Sequence, residues 1–273
     1  MSKKLIVVCV PFIFAIVWAL RVSPASFTAQ WVPLGRRKDL GVVFTCSADK
    51  KTYLFIARVM PQEEGVPLSV GYRSLPDIGW FIVESGETLR ADTSSGIALT
   101  KLLVEIPDKP EYYNQHFVVR LFTTGISAGM FQPAMIPYYF LETPPLANPS
   151  VSPDGELGVA PSIVELTKSN KNGTFRIYNN DTIEHKYNLV IRKPEERSRR
   201  FPNVSSDFLC IDDTAKIVIS AQNITLPPKK NALIEVAWKD KKWVNENYEA
   251  ILLITADDEA TNFVRIRIIV DKK

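Results

Sequence analysis

Short apolar runs rich in Val, Ile, Phe and Tyr recur along the chain, and polar or Gly/Pro-bearing turns separate them roughly every ten residues. LGVVF (Leu40 to Phe44), TYLFIARVM (Thr52 to Met60) and PLSVGYRSL (Pro67 to Leu75) open the first half, and MIPYYFLE (Met135 to Glu142) closes it. PSIVEL (Pro161 to Leu166), GTFRIYNN (Gly173 to Asn180) and YNLVIRK (Tyr187 to Lys193) open the second, which ends on FVRIRIIV (Phe263 to Val270). Such runs predict antiparallel strands, and no window carries the period of a long amphipathic helix. In the last run Val264, Ile266 and Ile268 alternate with Arg265, Arg267 and Ile269, which predicts a strand with one dry and one wet face.

One pattern occurs twice. Phe81 to Phe122 and Ile217 to Ile254 each contain an apolar run, a leucine in a polar turn (Leu89, Leu226), a second run, a polar loop, an Asn-x-x-aromatic step (Asn114/Phe117, Asn245/Tyr248) and a third run. Copies one domain length apart predict two similar domains in tandem. Between them lies TPPLANPSVSPDGELG, Thr143 to Gly158, whose prolines cannot continue a central strand. It reads as a partly extended linker, with 146–158 separating domain 1 (26–145) from domain 2 (159–273) and movement expected between them.

The first 25 residues read as a secretory signal. Lys3 and Lys4 precede an apolar run from Leu5 to Leu20, and Ser23-Pro24-Ala25 offers small residues for cleavage after Ala25. An uncleaved anchor is the alternative, and it is the only membrane contact foreseen. Removing this segment takes away Lys3, Lys4 and Arg21, so a formal charge of +3 falls to 0 (3 minus 3). A neutral chain has no electrostatic reason to bind nucleic acid. Cys46 and Cys210 fall in different domains and are expected to be free thiols.

About seven strands per half without crossover helices predict an all-β protein of two immunoglobulin-like antiparallel sandwiches lacking the usual disulfide. Pro161 to Leu166, then Gly173 to Asn180, then Tyr187 to Ile191 resemble the opening of the bacterial extracytoplasmic sandwich domains typified by PapD-type periplasmic pilus chaperones. Gly79 to Val83, Val104 to Pro107 and Pro137 to Phe140 are similar to the same kind of domain. The resemblance implies a periplasmic or extracellular protein that captures protein partners by strand addition, as a chaperone-like or scaffolding component in pilus or surface-structure assembly. In that family a basic pair anchors a subunit's terminal carboxylate. Here Ala134 to Leu141 carries no Lys or Arg, whereas Phe263 to Val270 carries Arg265 and Arg267, so Arg265, Ile266 and Arg267 become the partner-binding candidates.

Motifs for chemistry are sparse. His116 and His185 fall in separate domains, and no nucleophile elbow, phosphate loop or metalloprotease helix occurs. No catalytic residue, cofactor or metal is therefore expected, although Asp212-Asp213 and Asp257-Asp258-Glu259 supply oxygens of the kind calcium takes. Asn172, Asn180, Asn203 and Asn223 each begin an Asn-x-Ser/Thr triplet, which would mark surface in a glycosylating host. Trp243 and Tyr112 occupy equivalent loops; together on one surface they would form a platform for carbohydrate or peptide. Trp238, in alternation with Val236, is expected in the core.

Overall fold

The computed structural model describes residues 20–48, 52–61, 70–127, 130–131, 134–195, 201–240 and 242–270. Domain 1 contains β1 (Arg21–Ser23), β2 (Ser26–Ala29), β3 (Lys38–Ser47), β4 (Leu54–Met60), β5 (Arg73–Ser74), β6 (Phe81–Val83), β7 (Thr88–Arg90), β8 (Ile97–Val104), β9 (His116–Ser127), β10 (Met130–Phe131) and β11 (Tyr138–Glu142). Domain 2 contains β12 (Leu157–Ala160), β13 (Ile163–Thr167), β14 (Asn172–Asn179), β15 (His185–Arg192), β16 (Leu209–Cys210), β17 (Ile217–Ile219), β18 (Asn223–Leu226), β19 (Asn231–Trp238), β20 (Tyr248–Ala256) and β21 (Thr261–Ile269). Among the described residues the chain is all-β, with only short 3-10 turns besides the strands.

Strand order establishes the duplication. One sheet runs β1-β3-β8-β6 in domain 1 and β12-β14-β19-β17 in domain 2; the other runs β2-β11-β9-β4-β7 and β13-β21-β20-β15-β18. The first strand of each domain crosses between sheets, and its second half pairs in parallel with the last strand, β2 with β11 and β13 with β21. Each repeated stretch begins with a 3-10 turn capped by aspartate, Asp77 accepting from Gly79 N and Asp213 from Ala215 N. Leu89 and Leu226, the leucines that stood in polar turns, both drop into a core. Two immunoglobulin-like sandwiches thus repeat one topology.

Three sequence expectations need correction. Pro67 to Leu75 is no strand of that length: 67–69 lie outside the described residues, Val70 and Gly71 form a turn, and only Arg73–Ser74 pairs. The wet face expected on β21 is dry, because β21 lies between β13 and β20 and both of its faces are covered. Residues 20–25, assigned to the leader, belong to the fold: Leu20 is in the domain 1 core and β1 pairs with β3. The other residues assigned to the leader, 1–19, lie outside the described residues.

The linker is pinned along its course. Asn114, buried at a φ of 61°, donates from Nδ2 to the Leu146 carbonyl, and its Oδ1 accepts from the amides of Leu146 and Ser162. Farther along, Arg73 holds Asp154 at 2.7 Å, and Asn180 donates to the carbonyls of Pro153 and Gly155. These bonds oppose the expected movement between the halves.

Candidate functional site

The two sheets that contain the last strands meet face to face between the domains. Residues 116–121 of β9, 139–142 of β11, 249–254 of β20 and 263–268 of β21 are buried without a break. A sandwich strand with one face in solvent alternates, whereas one covered on both faces is apolar throughout. Tyr72, Val118 and Phe140 from domain 1 pack with Phe201, Ile251, Leu253 and Phe263 from domain 2 as a third core. Gly71 brings its backbone onto Phe263 so closely that an added Cβ would lie 2.3 Å from the ring, at a φ of +80° that already favours glycine.

Beside that apolar cluster sits a four-charge network. Arg265, fully buried, forms a bidentate pair with Glu142 of β11 (Nε to Oε2 2.7 Å, Nη2 to Oε1 2.5 Å) and donates from Nη1 to Glu249 at 2.7 Å. Arg267 donates from Nε to Glu249 at 3.0 Å and from Nη2 to Gln30 and Ser205. Tyr72 donates its hydroxyl to Glu142, and the Ser205 amide and hydroxyl donate to Glu249. Two cations and two anions cancel. Burial, the largest influence, would raise the Glu142 carboxyl, but the Arg265 charge together with the hydrogen bonds from Arg265 and Tyr72 outweighs it and holds the group below its ordinary range. Burial pushes the Tyr72 hydroxyl well up, and the Glu142 charge adds to the push.

The same network settles how the basic candidates are placed. Arg265, Ile266 and Arg267 are 0%, 0% and 4% exposed, so none presents itself to a separate molecule. Ile266 points into the domain 2 core, and the two arginines are held by the chain's own Glu142 and Glu249 in place of a foreign carboxylate. The aromatic candidates do not meet either. Tyr112 packs edge-on against Trp80, partly buried against the domain 1 core, while Trp243 packs edge-on against Trp238 and donates to the Ile269 carbonyl in domain 2. Trp238 is buried.

The two histidines have opposite surroundings. His116 is stacked on Phe263 at 3.7 Å, with Nδ1 3.0 Å from Asn262 Oδ1; burial lowers it to about 4. His185 sits at a domain 2 turn with Nε2 3.0 Å from Asp181 and Nδ1 2.8 Å from Asp257, and those two hydrogen bonds raise it to about 9. Asp181, His185 and Asp258 are, among the described residues, the group whose donor atoms lie close enough to share a metal, all within 4.8 Å of one another. The sequence pointed to Asp257 and Asp258 as oxygens but not to the imidazole they surround. Asp213 is used as a turn cap. Cys210 donates from Sγ to the Pro194 carbonyl at 3.4 Å, and burial pushes the Cys46 thiol up to about 12.

Open backbone lies elsewhere, at the same place in both domains. On its side facing β7, β4 pairs through Leu54, Phe55 and Ile56 and through the Ala57 amide; two residues on, Val59 points its N–H and C=O the same way and meets no described partner. On its side facing β18, β15 pairs from His185 to Asn188 and through the Leu189 amide; Ile191, two residues on, is left in the same condition. An opening of about 270 Å³ lies beside Val59, lined by Ala57, Phe81 and Val83, and one of about 330 Å³ beside Ile191, lined by Lys193, Phe201 and Thr214. The sequence carried no sign of these edges, because they exist where a short neighbour strand stops.

No family model and no curated sequence matches the chain. Among solved structures it is similar to a protein of unknown function from Porphyromonas gingivalis W83, at 11% identity and a TM-score of 0.33 over 91% of this chain and 98% of that one. It is similar to the YadV chaperone at 11% identity and a TM-score of 0.28, again over 91% and 98%. It is also similar to the CsuC–CsuE chaperone–tip adhesion subunit pre-assembly complex of Acinetobacter baumannii, at 6% identity and a TM-score of 0.33 over 43% of this chain, and it spans 58% of that chain. Likeness at these values accompanies the PapD-type fold and carries no functional inference.

Proposed function

We propose that this chain is an exported, non-enzymatic, chaperone-like or scaffolding protein that takes extended segments of protein partners on its two open strand edges, as a component of surface-structure assembly outside the cytoplasm. The observation that carries the reading is the repeated edge: Val59 and Ile191 occupy equivalent positions on β4 and β15, each with outward backbone groups that meet no partner among the described residues and an opening beside it, apolar at Val59 and mixed at Ile191, where Arg192, Lys193 and Glu195 join Phe201 in the lining. Strand addition draws its affinity from such backbone groups and its selectivity from pockets for alternate side chains. The edges are short, which limits indiscriminate pairing. The buried seam supports the same reading, since it fixes the two edges in one body. Export is supported by the sequence of the leader. Among the described residues no helix is long and apolar enough to cross a membrane.

Proline at either position tests the mechanism with little damage to the inner ladder. The N–H groups of Val59 and Ile191 point away from β9 and β20, so Val59→Pro and Ile191→Pro remove an outward donor only. Co-purification from native envelopes with in-cell crosslinking should recover proteins with the native chain and lose at least half of that signal with the double variant. Undiminished capture by a double variant that still melts cooperatively would remove edge pairing from the function.

A further inference from the structure

Two turns of domain 2 meet around His185. Asp181 and His185 belong to the connection from β14 into β15, and Asp257 and Asp258 to the turn between β20 and β21. His185 is 4% exposed, and three carboxylate oxygens surround its ring: Asp257 Oδ1 lies 2.8 Å from Nδ1, and Asp181 Oδ2 and Asp258 Oδ2 lie 3.0 and 3.8 Å from Nε2. A backbone amide holds the other oxygen of each carboxylate: Thr182 N donates to Asp181 Oδ1, Lys186 N to Asp257 Oδ2 and Ala260 N to Asp258 Oδ1. The inner oxygens are thereby fixed toward the ring.

A proton does not satisfy this arrangement. The ring carries two N–H hydrogens at most, one for Asp257 and one for Asp181, so none remains for Asp258. Charge is unbalanced as well: three carboxylates around one imidazolium leave −2 (1 minus 3), and among the described residues no lysine or arginine pairs with any of the three. A divalent cation meets both demands. The donor atoms of Asp181, His185 and Asp258 all lie within 4.8 Å of one another. Metal–ligand bonds of about 2.1 Å place tetrahedral ligands about 3.4 Å apart, between the 3.0 and 3.8 Å measured from Nε2. Asp257 on Nδ1 is the outer partner that keeps Nε2 facing the ion. A ring nitrogen among the donors favours a first-row transition ion such as Zn²⁺ over Mg²⁺ or Ca²⁺, which take oxygen. The Asp258 side chain, 35% exposed, leaves a way in. We propose that His185 Nε2, Asp181 Oδ2 and Asp258 Oδ2 bind one divalent transition ion of the Zn²⁺ type, with Asp257 as positioning residue and water completing the shell. The ion takes the place of the Nε2 proton and fastens the β14–β15 connection to the β20–β21 turn. This holds whether or not the strand edges take a partner.

Calorimetric titration of Zn²⁺ into the full chain, first freed of metal by a chelator, tests the site, with thermal unfolding followed in parallel. One Zn²⁺ should bind per chain and raise the melting temperature, whereas Ca²⁺ and Mg²⁺ at the same concentration should do neither. Asp258→Asn keeps the bond from Ala260 N and both hydrogen bonds to the imidazole, so it should fold as the native chain does and lose about tenfold or more in Zn²⁺ affinity. Asp181→Asn should lose as much. Cys210→Ser should bind as tightly as the native chain; a loss there in place of the aspartate variants would put the ion on the thiol and overturn the site. Native chain that takes up no Zn²⁺, undiminished affinity in both aspartate variants, or a preference for Ca²⁺ would overturn it equally.

Discussion

The last strands of the two domains occupy the same place in one topology and carry opposite charge. β11 ends on Glu142 and β21 carries Arg265 and Arg267, and the two strands face each other across the seam. A duplicated fold supplies identical edges and faces, but identical faces would set like against like. At the seam the two faces are complementary: apolar around Phe140 and Phe263, ionic around Glu142 and Arg265.

The largest effect should come from unbalancing the ionic half of the seam. Arg265→Ala leaves Glu142 and Glu249 buried with less compensation and should cost about 3–5 kcal/mol in denaturant unfolding. A double replacement, Arg265→Met with Glu142→Leu, removes one charge of each sign and should recover a large part of that loss. If the single variant unfolds like the native chain, the network contributes nothing to joining the domains.

Next comes the apolar half. Gly71→Ala adds a Cβ against the Phe263 ring at positive φ and should cost about 1–3 kcal/mol. Gly86→Ala is its control: the φ of +81° is similar, yet an added Cβ meets nothing within 4 Å. Equal losses at the two positions would mean that backbone strain alone, and no seam contact, sets the cost.

The smallest effect separates the histidines by pH. His185 titrates near 9 when folded and near the ordinary 6.5 when unfolded, so its contribution is complete below about pH 6.5 and disappears as pH rises through 9. His116 titrates near 4 when folded, so its contribution is present above about pH 6.5 and is lost as pH falls toward 4, with Glu142, Asn262, Arg265 and Arg73 around it. Melting temperature across pH 4–10 should therefore lose its alkaline slope in His185→Asn and its acid slope in His116→Gln. Salt should flatten only the first, because the Asp181, Asp257 and Asp258 partners are partly exposed. Exchanged slopes would mean the two environments have been assigned the wrong way round.

Much of the fold was legible because a sandwich strand writes its alternation directly into the chain. Trp238, expected in the core by its alternation with Val236, is buried as Val236 is, and the repeat from Phe81 and from Ile217 coincides with β6 to β9 and β17 to β20. The seam was written less plainly. Ala250 to Ile254 is an unbroken apolar run that a strand with a solvated face would not need, and this was the available signal that both faces of β20 are covered. Arg265 and Arg267 pointed the other way, since arginine on alternate positions ordinarily means solvent.

The amino-acid sequence by itself determined the strands, their inward positions and their use in two copies, because these depend on side-chain period, turn residues and local spacing. Tertiary structure alone decided which outward faces would meet, that Glu142 would stand opposite Arg265 some 120 residues away in the chain, and that Val59 and Ile191 would be left at an open edge. Those outcomes depend on where neighbouring strands end and how two finished domains dock, and no local pattern encodes a contact between surfaces that exist only after folding.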